Sequence, residues 1–146
     1  MKGVASGEYY VINRQWNAGD EITLTMEMPA HLVSLNQSVA IERGPIVYAR
    51  DSRFNDGFVD EVVTIPNKDG IIQMKTEENG KDMWITVSVP MVRGTYNDAS
   101  TDTRHIRLCD FASAGSTWDE RIRYRVWLPK LYTPDNPKSG QFQGYW

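Results

Sequence analysis

The sequence predicts an all-β chain, an antiparallel β-sandwich, on three observations. Short runs, about eight to ten of them, alternate apolar with polar residues or concentrate aromatic and β-branched ones, the pattern of strands with one buried face. Clusters of Gly, Pro, Asn and Asp punctuate these runs every 8 to 12 residues or so, the spacing of hairpin-connected strands. No stretch sustains a 3.6-residue period, and no internal repeat is visible.

Residues 1–7 are small and polar and read as a frayed lead-in or a truncated start, and residues 8–132 as the sandwich domain. Its organising stretch is Glu8 to Arg50. An aromatic, β-branched run from Tyr9 to Trp16 is joined by Asn17-Ala18-Gly19-Asp20 to Ile22–Met28, where Ile22, Leu24, Met26 and Met28 alternate with Thr23, Thr25 and Glu27. This predicts a hairpin with Met26 on the buried face, closed by Pro29, which removes a ladder donor. Ala30–Leu35 and Val39–Arg43 follow as strands around Asn36-Gln37-Ser38. Gly44-Pro45 reads as a bulge or a bend before Ile46–Ala49. Asp51–Gly57 is a polar loop. Val59–Ile65 and Ile71–Lys75 are short strands around Pro66-Asn67-Lys68-Asp69-Gly70, and Glu77-Glu78-Asn79-Gly80 predicts a primed turn. Met83, Ile85, Val87 and Val89 form the inner face of a strand that Pro90 ends. Gly94–Thr103 reads as a polar loop, Ile106–Phe111 as a strand and Ala112–Asp119 as a loop. Arg121–Leu128 is a strand placing Ile122, Tyr124, Val126 and Leu128 on one face and Arg121, Arg123, Arg125 and Trp127 on the other. Residues 133–146, rich in Pro, Gly, Asn and Asp, read as a linker-like tail.

Composition narrows the function. The 146 residues suffice for one domain with its own core. A net charge of −3 with scattered Lys and Arg offers no footprint for nucleic acid or an anionic membrane. No apolar run approaches the roughly 20 residues of a membrane span, and residues 1–7 lack the apolar core of a signal peptide. The single Cys109 excludes an internal disulfide, so either redox compartment is open.

The Gly-x-Tyr start at Gly7, the aromatic strand ending in Trp16, the Gly19-Asp20 turn, the alternating strand to Met28-Pro29 and Arg43-Gly44-Pro45-Ile46-Val47-Tyr48 together bracket a pattern. With Asp110-Phe111-Ala112-Ser113-Ala114-Gly115 and Arg125-Val126-Trp127-Leu128-Pro129, it resembles the β-sandwich that follows the catalytic barrel in β-L-arabinofuranosidase-like glycoside hydrolases of Bacteroides-type bacteria, long a family of unknown function. The resemblance implies a jelly-roll-like topology, further strands upstream of Gly7, a parent that is periplasmic or secreted, and a non-catalytic accessory role in carbohydrate metabolism. The zinc-bound cysteine nucleophile of that family belongs to the upstream barrel, and nothing here matches it.

The residues themselves argue the same way. A glycosidase needs two carboxylates about 5 to 10 Å apart, one with a raised pKa. Asp51, Asp56, Asp60 and Glu61 are the densest acidic group, but they lie in and beside a loop where solvated turn residues are the default. Asp51–Gly57 superficially matches a calcium loop, yet Arg53 occupies a ligand position, the Gly is one place late and no Glu stands at the twelfth position; only a looser calcium site stays open. His105 and Cys109, four apart on a strand, are some 13 Å from each other and cannot share one zinc, so Cys109 reads as a small buried hydrophobe. No Gly-x-Ser-x-Gly elbow occurs. The sequence therefore assigns no catalytic, metal or cofactor residues. Trp84, Trp118, Arg121, Arg123, Arg125 and Trp127 are the candidate contact residues, because indoles and guanidinium groups are enriched at interfaces and flat exposed rings also receive sugars. The expected partner is the parent's catalytic domain, with a plant-type polysaccharide as the alternative, and in the isolated chain the occupant is a second copy or a flap of the C-terminal tail.

Overall fold

The computed structural model describes residues 7–95, 98–117 and 119–129, with the side chains of 93–102 excepted. The predicted tail at 133–146, Trp118 and most of the lead-in lie outside these residues. The fold is all-β. Among the described residues eleven antiparallel strands form one sheet curled into a half-barrel, consistent with a β-sandwich. They are β1 Ala30–Leu35, β2 Ser38–Arg43, β3 Ile46–Asp51, β4 Val63–Thr64, β5 Asn67–Lys68, β6 Ile71–Ile72, β7 Lys75–Glu77, β8 Thr86–Thr95, β9 Asp98–Asp110, β10 Tyr124–Arg125 and β11 Leu128–Pro129. The main path runs β4-β8-β9-β3-β2-β1-β6-β5, with β7 on β8, β10 on β3 and β11 on β2.

Turn chemistry sets the hairpins. Asn36, with φ 51°, opens the two-residue connection between the Leu35–Ser38 pair. Gly44 has φ 56° and, with Pro45, links Arg43 to its partner Ile46; this is a tight hairpin turn with Gly first, rather than the expected bulge or sheet-switching bend. Asp69 and Gly70, both at positive φ, close β5–β6 in the primed form that matches strand twist.

The central ladder separates two faces. Leu32, Ile41 and Tyr48 are cross-strand neighbours and share a face. There they join Val87, Val89, Met91, Ile106, Leu108, Val63 and Leu128 in the main core. On the opposite face Phe54, Met83 and Cys109 make a smaller cluster, backed by Ala114.

Several expectations are overturned. No strand forms over 8–29. The Asn17–Asp20 turn closes, with Asp20 N–H donating to Asn17 O at 3.1 Å and Arg14 pairing with Asp20 at 2.8 Å, but no ladder follows it. Met26 is 64% exposed instead of buried. A two-stranded hairpin is marginal without a third strand or a surface to pack on, and among the described residues none covers its apolar stripe. The primed turn at Asn79-Gly80 is likewise absent. Gly80 avoids the left-handed region, and β7 pairs with β8 across an eight-residue connection bridged by the Asn79 amide, which donates to Trp84 O and accepts from Thr86 N–H. Met83 and Ile85 thus fall outside the strand, Met83 in the smaller cluster and Ile85 half-buried beside the main one. Pro90 lies inside β8. It falls between the stretches that pair with β7 and with β4, where one edge has no neighbour and a missing N–H is tolerated. Gly94, Thr95, Asp98, Ala99 and Thr103, expected in a loop, pair in the β8–β9 hairpin, whose backbone ladder needs no apolar alternation.

Candidate functional site

The strand expected over 121–128 is broken in two, and the break builds the site. β2 and β3 pair only from Ile41 to Arg43 and Ile46 to Tyr48 and then diverge. The chain at 124–129 fills the split. Tyr124 and Arg125 pair with Asp51 and Arg50 of β3, while Leu128 and Pro129 pair with Val39 and Ser38 of β2. Val126 and Trp127 form the bend between them, so the two-faced alternation is lost. Tyr124, Arg125, Val126 and Trp127 all border one open groove of about 690 Å³. Its floor is the outer face of the ladder, Val33 and Ala40 from one cross-strand pair and Glu42 and Val47 from the next. Phe111 stands across from Tyr124, with ring centroids 6.2 Å apart and planes tilted by 50°. Tyr124 is 48% and Trp127 38% exposed, so the rings are partly open to solvent.

Two buried carboxylates fix the Phe111 wall. Asp110 accepts from Ser113 N–H, from the Ser113 hydroxyl at 2.7 Å and from Ile85 N–H, which pins the 111–115 turn to the start of β8. Asp51, fully buried, caps the 3₁₀ turn Ser52–Phe54 and accepts four bonds: from Arg53 N–H, Nε and Nη2 and from Gly115 N–H. Arg53 also donates to Ser113 O at 2.7 Å. Gly115 has φ 61°, and a Cβ there would meet the Tyr124 ring at 2.6 Å, so only glycine lets the turn and the ring approach. The Asp110–Gly115 motif is thus a clamp for the groove's aromatic wall.

Each carboxylate of the acidic group faces an arginine. Asp51 pairs with Arg53, Asp56 with Arg107, Asp60 with Arg125, and Glu61 with the buried Arg50 at 3.3 Å. Burial alone would push the Asp51 carboxyl up, but the bonds from Arg53 and the Gly115 and Arg53 amides outweigh it and hold it below the usual range. A general acid needs the opposite shift. The Asp51 oxygens that a calcium ion would need are already committed to these donors. Burial, followed by the Asp51 and Asp110 charges, pushes the Cys109 thiol up to about 12, and Cys109 has no accessible surface. It is a core residue. Among the described residues Arg50 Nε and Nη1 find no hydrogen-bond partner despite the burial of the side chain.

Of the candidate contact residues, the groove unites Arg125 and Trp127. Trp84 is exposed at 78% but does not line it. Arg121 pairs with Asp119, and Arg123 donates to the Glu120 and Ile122 carbonyls, so the three guanidinium groups do not stack as one face. The sequence reading missed Phe111, Tyr124 and Glu42. Strict alternation places Tyr124 on the face of Leu128, and Phe111 sits one residue past β9, whose end decides where it points. No family model matches the chain, and no curated protein matches it significantly.

Proposed function

We propose that this chain is a non-catalytic accessory β-sandwich of a multidomain glycoside hydrolase of the β-L-arabinofuranosidase-like kind, and that the groove is where it packs on the catalytic domain. The observation that carries this reading is the groove itself: a floor of Val33, Ala40 and Val47 beside Glu42, walled by Phe111, Tyr124 and Trp127, on a sheet face that would be more polar if it met only water. The arginine-paired carboxylates support it, because acids neutralised in this way serve the fold rather than proton transfer. The test supplies the catalytic domain in trans and measures binding by calorimetry. Trp127→Ala is expected to weaken it at least tenfold while leaving the melting temperature of the chain nearly unchanged. Turnover of an aryl arabinoside by the isolated chain, abolished by changing Asp56 or Glu61, would overturn the non-catalytic part.

A second reading draws on the same rings. Three aromatic side chains around one groove, with Glu42 and the Arg125–Asp60 pair beside them, also suit a sugar ring stacked on an aromatic face and hydrogen-bonded at its edge. If Trp127→Ala binds the catalytic domain as well as the original chain does but loses affinity for xylan or arabinan, a carbohydrate-binding module replaces the domain-packing reading.

A further inference from the structure

The groove holds one charge that the fold leaves unanswered. Glu42 alternates with Ile41 and Arg43 on β2, so it leaves the ladder on the groove face, beside Ala40 and its cross-strand partner Val47. It is half-buried there, and among the described residues no hydrogen bond or ion pair reaches its carboxylate. His31 stands opposite it on β1 without pairing. The acids of the 51–61 segment, by contrast, each face an arginine. Arg125, the groove's own cation, is committed to Asp60. A carboxylate set on an apolar floor has lost part of its hydration, and a cation is what restores its stability. Its field also favours positive over negative visitors.

The walls suit the same charge. Phe111 is 51% exposed, and Tyr124 and Trp127 are open to a similar degree. With centroids 6.2 Å apart and planes tilted by 50°, Phe111 and Tyr124 do not lie flat on each other, so neither ring covers the other's π face. Such faces attract a cation brought within about 6 Å of the centroid. The chain already uses this contact elsewhere, with Arg107 at 5.0 Å over Phe54 and Arg14 at 4.7 Å over Trp16, but among the described residues no cation sits on the three groove rings. A planar guanidinium can lie on a ring while its fork donates to a carboxylate, which a compact ammonium cannot do. The shape decides how that group arrives. A site for a free small molecule encloses roughly 70–90% of its ligand, whereas this groove is an open trough, suited to a side chain that enters from a facing surface. We propose that the groove receives an arginine side chain presented by the partner protein, with the guanidinium against the Phe111, Tyr124 and Trp127 wall and hydrogen-bonded to Glu42. The inference rests on the groove being a protein-docking surface, and it adds what the partner must present.

An NMR titration of the full chain with N-acetyl-arginine amide tests it, run at pH 8, above the range in which a histidine ordinarily takes up a proton. Saturable shifts are expected at the Trp127 indole and the Glu42 amide. Glu42→Gln should weaken the binding at least roughly tenfold, the loss of a charge-assisted hydrogen bond, and the uncharged N-acetyl-citrulline amide should not bind. Because Glu42 has no partner to lose among the described residues, the thermal melt of Glu42→Gln should match that of the original chain. Glu42→Asp, which keeps the charge, should bind more tightly than Glu42→Gln. Absence of saturable shifts, equal affinity for the arginine and citrulline probes, or a Glu42→Gln chain that binds as well as the original overturns the inference. Binding of the catalytic domain in trans is scored separately. A domain that binds Glu42→Gln as tightly as the original chain, but Trp127→Ala weakly, refutes the arginine and keeps the proposed function, whereas an arginine probe held through Glu42 by a chain with no affinity for the domain does the reverse.

Discussion

Asp51 is the residue whose loss should be felt furthest. Its two oxygens accept two bonds each, from Arg53 N–H and Nε on one and from Arg53 Nη2 and Gly115 N–H on the other. Asp51→Asn keeps the shape but puts an amide nitrogen where one oxygen stood, facing two donors, and it leaves the largely buried Arg53 guanidinium without its counter-charge. Removing one partner of a buried pair costs about 3–5 kcal/mol, which in a chain of this size lowers the melting temperature by roughly 10–16 °C. The folded state holds this carboxyl below its ordinary range, so between the folded and unfolded pKa values the unfolded chain binds more protons and stability rises with pH. The contribution is complete above an unfolded pKa of about 3.9 and is lost as pH falls through the lower folded value. Urea melts of the two proteins should therefore differ most at neutral pH and converge in strong acid. Amide exchange at 113–116 should also speed up in the variant, because the clamp on the Phe111 wall is released. A difference below about 1 kcal/mol at pH 7, or one that persists unchanged to about pH 2, would refute the charge-based account of the clamp.

Further outcomes follow from burial and close approach. Met91→Ala, deep in the main core, should cost about 2–5 kcal/mol in denaturant melts, while Met26→Ala on the exposed stripe should stay within about 0.5 kcal/mol; equal costs would mean that the stripe is folded onto the body. Gly115→Ala should cost about 1–3 kcal/mol, since the new methyl meets the Tyr124 ring and the backbone sits at positive φ, and a neutral result would show that the ring yields freely. Cys109 should resist a thiol reagent at pH 8 in the native chain and react fully in denaturant; rapid native labelling would contradict its burial.

The strands that were legible from sequence are those whose neighbours in space are also neighbours in the chain. β1, β2 and β3 are consecutive hairpins with two-residue turns, and Asn36 and Gly44 mark their corners in the sequence itself. The failures have a different origin. Ile22–Met28 has the clearest alternation in the chain, but alternation states only that one side of a strand would be buried, and no described element packs over that side. Asn79-Gly80 is a strong local turn signal, yet the register of β7 on β8 places the reversal elsewhere and uses Asn79 as a bridge. Tertiary pairing outweighed local preference at both places.

The site was legible only in part for a related reason. Trp127 and Arg125 are visible as an indole and a guanidinium next to each other on a predicted strand, and the groove does contain both. The predicted face, however, excluded Tyr124, because strict alternation puts residues 124 and 127 on opposite sides. They meet because the ladder they join is split: one end of the segment must pair with β3 and the other with β2, and the bend at Val126–Trp127 is what a single chain needs to satisfy two diverging edges. That bend turns a barrier between two faces into a corner where both face the same hollow. Phe111 completes the corner through Asp110 and Asp51, two acids whose sequence context suggests only a loop. The aromatic wall is therefore a property of the sheet's divergence and of buried carboxylates that hold a turn, and neither is written in the periodicity of any one strand.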